Sequence, residues 1–320
     1  MICLCVEGSH QKGMGHVFRA LNLASALRLL GADCLFAVND DEKSLEIVRS
    51  AGIPWEVADL RDREAGWESD LIRRRGVRVW VNDRLDTSEL HAARIKELHI
   101  GLATFDDLGS GAGCADLHIA ALPAVFQHHQ LAGRRVLAGT DYLILNPEIR
   151  QYRRERDRIE KIVVTLGGSD TYGMTVAIVK LLQGCGAALT VVLGPNFRHR
   201  RELDAAAGHG FVIKEAVPSL IRELAGHDLA VTGGGITPFE ASALGLPCIV
   251  VASELHEIAN AEYLEQLGCS VFAGHHEQLR RGKFTLDLDI AAMSRRCLAS
   301  IPTCGAQKIA FEIKDLWQRQ

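Results

Sequence analysis

The stretch that decides the fold is 2–31, ICLCVEGSHQKGMGHVFRALNLASALRLLG. Residues 2–6 form an unbroken apolar run and read as a buried strand. A turn rich in glycine follows, holding Gly8, Gly13 and Gly15. From 15 to 30, apolar residues fall at 17, 20, 21, 24, 27 and 30, the spacing of a helix with one buried face. Gly31 then ends the helix, because glycine is the preferred residue just past a C-terminus.

The same rhythm extends outward. Strands are expected at CLFAV (34–38), near 55–58, at VRVWV (77–81), IGLATF (100–105) and DLHIA (116–120), with helices near 41–50, 67–75 and 87–98. The segment NPEIRQYRRERDRIE (146–160) lacks an apolar stripe, and its arginines read as a solvated face. The pattern restarts with KIVVTL (161–166), a helix at 170–183, ALTVVLG (188–194), a helix at 197–207 and FVIKEAV (211–217). A short helix near 218–225, DLAVT (228–232), a helix at 238–244, CIVVA (248–252), a helix at 256–267 and SVFAG (270–274) follow. Helices near 287–299 and 303–318 close the chain. Strands alternating with helices predict βαβ units, hence an α/β protein with parallel sheets. The expected division is 1–145 as a sugar-binding and catalytic domain, 146–159 as a linker and 160–302 as a nucleotide-binding domain. The helix at 303–320 is expected to pack back across the domains. In open parallel sheets ligands sit at the carboxyl ends of the strands, so a cleft between two such domains is the expected site.

Composition narrows the function. A length of 320 residues fits two domains. Lys plus Arg is 36 and Asp plus Glu is 40, a net charge of −4, which argues against gripping nucleic acid through net positive charge. The nine cysteines are scattered without a Cys-x-x-Cys pair, so no zinc or thioredoxin-like site is indicated and a reduced cytoplasm is expected. The pair Cys3 and Cys5 reads as alternation on a strand. The start MICLCVEGSH has no basic segment and its apolar run is broken by Glu7, so neither a signal peptide nor a membrane span is expected.

The 30 glycines, against 8 prolines, stand out. Three clusters follow strands: Gly8 to Gly15, then Gly167-Gly168-Ser169, then Gly233-Gly234-Gly235-Ile236-Thr237. Such loops free backbone N–H groups and let a phosphate approach closely. Phe18 stands where the dinucleotide fingerprint needs Gly or Ala, and no GxxxxGK[ST] loop exists, which disfavours NAD and P-loop chemistry. His16 opens the first helix. It reads either as an N-terminal polar residue or as a general base kept neutral by the helix's positive end. Thr237-Pro238-Phe239-Glu240 reads as a capping box, while Glu240 could instead accept the two hydroxyls of a ribose. His256-Glu257 lacks the second His of a zincin, since Asn260 stands there. Asp83, Asp106 and Asp107 follow strand ends, where turn-forming Asp and acid/base carboxylates are both found. His128-His129 and His275-His276 have no partners at metal-ligand spacing and read as surface residues.

Taken together, GSHQKGMGHVFRALNLASAL, FDDLGSGAGCADLHI, GTDYLILNPEI, VVTLGGSD and TGGGITPFEASALGLPCIVV resemble the nucleotide-sugar hydrolases of pseudaminic acid biosynthesis. These UDP-2,4-diacetamido-2,4,6-trideoxy-altropyranose hydrolases are relatives of the MurG-type glycosyltransferases. The resemblance implies a GT-B fold, with two Rossmann-like domains facing a cleft. It implies hydrolysis of a UDP-sugar without metal or cofactor: water attacks the anomeric carbon and UDP leaves. It implies catalytic roles for His16 and Asp83 and substrate contacts from Ser9, Gly13, Gly15 and Arg19. It places Gly167, Gly168 and Ser169 at the diphosphate, and Gly234, Gly235, Ile236, Thr237 and Glu240 around phosphate and uridine. His256 and Glu257, further implied substrate contacts, stand where the family has Asn-Gln. Asp83-Arg84-Leu85 replaces Asp-x-Tyr, and Cys5-Val6-Glu7-Gly8-Ser9 replaces an arginine-bearing element. The implied partner is a UDP-sugar, with the chain a monomer or weak homo-oligomer. A MurG-like glycosyltransferase and a non-catalytic UDP-sugar-binding protein are the alternatives.

Overall fold

The computed structural model describes residues 1–320 apart from 9–14, 61, 63–64, 169, 208–209, 216 and 280–283. Ser9, Gly13 and Ser169 therefore lie outside the described residues. The chain divides into two compact units, Met1–Leu145 with Cys304–Gln320, and Asn146–Thr303.

The first unit holds β1 (Ile2–Val6), α1 (Gly15–Leu29), β2 (Cys34–Val38), α2 (Glu42–Ser50), β3 (Trp55–Val57), α3 (Trp67–Arg75) and β4 (Val79–Asp83). It continues with α4 (Glu89–Glu97), β5 (Gly101–Phe105), β6 (Leu117–Ala120), α5 (Pro123–Phe126) and β7 (Val136–Ala138). The strands form one parallel sheet in the order β3-β2-β1-β4-β5-β6-β7. The unbroken apolar strands follow from burial on both faces. Cys3 and Cys5 share one face with Trp80 and Leu102, packed under Leu71 and Ile72 of α3 and Ala92 and Ile95 of α4. All nine cysteines are free.

The second unit runs through α6 (Ile149–Tyr152), β8 (Lys161–Thr165), α7 (Met174–Leu182), β9 (Ala188–Leu193), α8 (Arg200–Ala207), β10 (Phe211–Glu215) and α9 (Leu220–Ala225). Next come β11 (Leu229–Thr232), α10 (Thr237–Ala243), β12 (Cys248–Ala252), α11 (Leu255–Gln266), β13 (Ser270–His275) and α12 (Ile290–Ser300). Its parallel sheet is ordered β10-β9-β8-β11-β12-β13. The last helix, α13 (Gly305–Gln318), belongs to the first unit and packs on α1, β4 and β5. A Cβ on Gly101 of β5 would lie 2.7 Å from Leu316 Cγ, so the missing side chain admits this helix.

Both sheets reverse direction at one point, between β1 and β4 and between β8 and β11. Ligand crevices of open α/β sheets form at such switch points. All three glycine clusters follow strands that border one: β1, β8 and β11.

Four expectations are corrected. Residues 146–159 are not a free-standing linker but part of the second unit. Their arginines are not one solvated face, because Arg156 is buried and donates to the carbonyls of His227 (3.0 Å), Leu244 (2.6 Å) and Arg154 (2.9 Å). Burial lowers its pKa to about 10, and Arg154 adds to this. The carbonyls of Leu244 and Ala225, which close α10 and α9, give the cation a favourable helix-end partner. Thr237 is not an N-cap: α10 starts at Thr237 itself, Ile236 takes the cap position and no side chain caps it. His275 and His276 are half-buried rather than surface residues, with His276 stacked on Tyr172 at 3.6 Å between centroids.

Candidate functional site

In the first unit the switch point brings four predicted or suspected side chains together. Asp83 is the last residue of β4 and pairs with Val6, the last of β1. The β1 loop returns to α1, whose second residue is His16. His16 Nδ1 lies 2.6 Å from Asp83 Oδ1. A carboxylate accepts only, so Nδ1 carries the hydrogen, and in the tautomer this selects the lone pair is on Nε2. The sequence reading gave His16 only the helix end. The structure adds a carboxylate that sets its tautomer.

One turn along α1, Arg19 donates from Nε to Asp83 Oδ2 at 2.8 Å and from Nη2 to Asp83 Oδ1. Its Nη1 reaches Asp106 Oδ2 at 2.5 Å. Asp106 follows β5 with φ +46°, a backbone state uncommon outside glycine, and its other oxygen accepts from Ala121 N (2.9 Å) and Leu122 N (3.3 Å). Burial alone would raise the Asp83 pKa. The Arg19 guanidinium and His16 outweigh it and hold the carboxyl well below its usual range. Burial likewise opposes the Arg19 charge, but Asp83 and Asp106 keep its pKa above the ordinary value. The group is therefore a fixed ionic lattice of two carboxylates and one guanidinium, with an imidazole on its edge. Sequence reasoning left Asp106 open between turn former and site member. Asp107 faces elsewhere: its Oδ1 accepts from Thr87 N (3.0 Å) and Gly109 N (2.9 Å). Gly15 stands at the start of α1 with open space where a Cβ would be. Leu85 is exposed at φ +65°.

In the second unit Gly167 takes φ +83°, and Gly194 of the β9 loop lies against it and Gly168. A Cβ on Gly194 would fall 2.2 Å from the Gly167 carbonyl, so only glycine fits. The α7 end of this loop is already occupied: Asp170 accepts from Met174 N and Thr175 N, each at 2.8 Å. Asp170 is buried with φ +41°, and α7 starts at Met174 rather than at 170. An anion at this loop would meet the backbone of Gly167 and Gly168, not the α7 terminus.

The third glycine loop is clamped to α11. Glu257 Oε2 accepts from Ser253 N (2.8 Å), Gly234 N (3.3 Å) and Glu254 N (3.4 Å). Asn260 Nδ2 donates to the Gly234 carbonyl at 3.0 Å. A Cβ on Gly234 would sit 2.6 Å from Glu257 Cβ. Glu257, expected at the substrate, thus spends one oxygen on the loop backbone. His256 is exposed in the first turn of α11. Thr237 opens α10, and Glu240, one turn on, is half-buried. Burial pushes the Glu240 pKa from 4.5 up to about 7, with one compensating bond from the Asn146 backbone N–H.

No known protein-family profile matches the chain. It is 26% identical over 311 residues to an uncharacterized protein of Methanocaldococcus jannaschii, covering 88% of this chain and 61% of that one. The chain thus spans under two thirds of that relative. It is 23% identical over 337 residues to the spore coat polysaccharide biosynthesis protein SpsG of Bacillus subtilis, covering 92% and 88%. Among solved structures, MurG of Acinetobacter baumannii superposes with a TM-score of 0.69 at 13% identity, over 98% of this chain and 99% of that one. The UDP-GlcNAc 2-epimerase of Neisseria meningitidis, bound to UDP-GlcNAc, gives a TM-score of 0.64 at 12% identity over 100% of each chain. The two parallel-sheet units are those of the GT-B fold.

Proposed function

We propose that this chain is a nucleotide-sugar hydrolase acting on a UDP-linked acetamido-deoxy sugar, in nonulosonic (pseudaminic-type) acid or surface polysaccharide biosynthesis. The observation that carries the reading is the His16–Asp83 dyad at the switch point of the first sheet. Asp83 orients the ring, and His16 Nε2 takes a proton from water as its oxygen bonds to the anomeric carbon. The bond from that carbon to the phosphate oxygen breaks, and UDP departs with the electron pair. In the second unit, Gly167, Gly168 and the loop 233–237 offer backbone N–H groups to the diphosphate, and Glu240 accepts from the ribose hydroxyls. Glu257 serves this site by fixing the loop.

A second reading is glycosyl transfer, with the same dyad taking its proton from an acceptor hydroxyl. The likeness to SpsG, named for polysaccharide biosynthesis, favours it. The test is incubation of the purified chain with UDP-N-acetylated sugars and no acceptor. Equal release of UDP and free sugar, lost in His16→Ala, supports hydrolysis. UDP release only after an acceptor glycan is added supports transfer. Turnover unchanged in His16→Ala overturns the assigned base.

A further inference from the structure

The function proposed above leaves one contact of the second unit unused. Tyr172, in the loop between β8 and α7, stacks on His276, the residue after β13, with ring centroids 3.6 Å apart and planes 12° apart. In the order β8-β11-β12-β13 the two parent strands stand three strand spacings apart, about 14 Å. The stack therefore spans the carboxyl ends of β11 and β12. His276 Nδ1 lies 3.0 Å from the carbonyl of Ser253, just past β12, and a carbonyl only accepts, so this nitrogen donates. Ser253 N donates to Glu257 Oε2 at 2.8 Å, the same oxygen that accepts from Gly234 N at 3.3 Å. Contacts thus run unbroken from Tyr172, beside the glycine loop of β8, to Gly234 in the glycine loop of β11.

The two loops open side by side: a Cβ on Gly233 would lie 3.8 Å from the Leu166 carbonyl oxygen. Glycine gives such loops wide backbone freedom. Their N–H groups grip an anion only once they are ordered, and ordering at the moment of binding subtracts from affinity. A contact that fixes one loop against the other while the chain folds removes that cost. Tyr172 is 45% exposed, so its ring contributes little to the core, yet it lies flat on a histidine that is itself hydrogen-bonded. A position on the rim of both loops accounts for it better than core packing does.

We propose that Tyr172 and His276 are positioning residues that lock the two glycine loops at one spacing, so that the second unit takes a diphosphate in preference to a monophosphate. The preference rests on the nucleotide reading above; the lock does not. The lock is read without ligand. In Tyr172→Ala the amides of Gly234 and Ser253 should exchange with deuterium about fivefold faster by NMR. Tyr172→Phe keeps the ring and should restore the parent rate. His276→Phe keeps the stack but loses the bond to Ser253, and should match Tyr172→Ala. Calorimetric titration of the full chain with UDP and with UMP reads the consequence. Tyr172→Ala should weaken UDP about tenfold and UMP by no more than about twofold, a split that general loss of structure would not produce. Glu257→Gln breaks the far end of the same contacts. Combined with Tyr172→Ala it should cost UDP about tenfold in all, rather than the roughly hundredfold of two independent tenfold losses. Unchanged exchange at Gly234 and Ser253 in both Tyr172→Ala and His276→Phe overturns the lock. Faster exchange with UDP and UMP weakened alike overturns the diphosphate preference. If neither nucleotide binds the parent chain, the nucleotide reading falls and the preference with it, and exchange alone still decides the lock.

Discussion

Asp83 carries two duties at once, and a single substitution separates them. Asp83→Asn keeps the shape but removes the charge that pairs with Arg19 and sets the His16 tautomer. Turnover of a UDP-sugar should fall by about a hundredfold or more. Stability should fall by about 3 kcal/mol, because Arg19 keeps Asp106 but loses its second carboxylate. Urea unfolding beside steady-state kinetics reads both, and full turnover in a destabilised variant would remove Asp83 from the mechanism. Asp106→Asn should destabilise similarly while leaving the His16–Asp83 contact in place.

Glu240 gives a pH dependence whose sign is fixed by its environment. Its pKa rises from 4.5 to about 7 on folding, so between these values the folded chain holds a proton that the unfolded chain has released. Stability from this group therefore declines as pH rises through that window, and the penalty is complete above about pH 7. Glu240→Gln should raise the melting temperature relative to the parent at pH 8, with the gap closing toward pH 4.5. Ribose hydroxyls donate, so they favour the ionised carboxyl. UDP affinity should be greatest above pH 7 and weaken below it by up to about tenfold per pH unit. Calorimetric titration of UDP at several pH values checks this, and a flat profile would detach Glu240 from the ribose.

At the level of elements, the glycine loops matter less for flexibility than for what they let in. Gly234→Ala places a methyl against Glu257 Cβ, and its neighbours are backbone that cannot swing away. Overpacking of this kind costs about 1–3 kcal/mol. The loop 233–236 should shift off α11 and nucleotide affinity should drop, while Gly15→Ala, facing open space, should be tolerated. Thermal melts with and without UDP read both variants. The strands and long helices were legible in the sequence because their signal is local periodicity: the run 2–6 and the stripe from Val17 to Leu27 need no knowledge of partners. Arg156 was not, because what buries it is the carbonyl ends of α9 and α10, about 70 to 90 residues away in the chain. The contact of Glu68 Oε1 with His91 Nδ1, at 2.7 Å, was missed for the same reason. Each residue alone looks like an ordinary polar position in a helix, and only the packing of α3 against α4 joins them.

The whole molecule is two separately cored units. The GT-B fold was readable from motif order. The His16–Asp83 pairing was anticipated only as two residues in one motif set, since the register Val6 to Asp83 that joins them belongs to the sheet. The division into units makes the nucleotide reading testable on its own. UDP without sugar should engage the second unit, Asn146–Thr303, through the loops after β8 and β11 and through Glu240. At a hundred times its Kd, UDP should add about 2.7 kcal/mol to the stability of whatever binds it. Hydrogen exchange should then show slower opening around 166–173 and 233–240, with the β1–β2–β4 strands of the first unit unchanged. Protection confined to the first unit would move the nucleotide to the His16 side and reverse the roles assigned to the two units. Should no region gain protection at any UDP concentration, the glycine loops are scaffolding alone, and the hydrolase and transferase readings fall together.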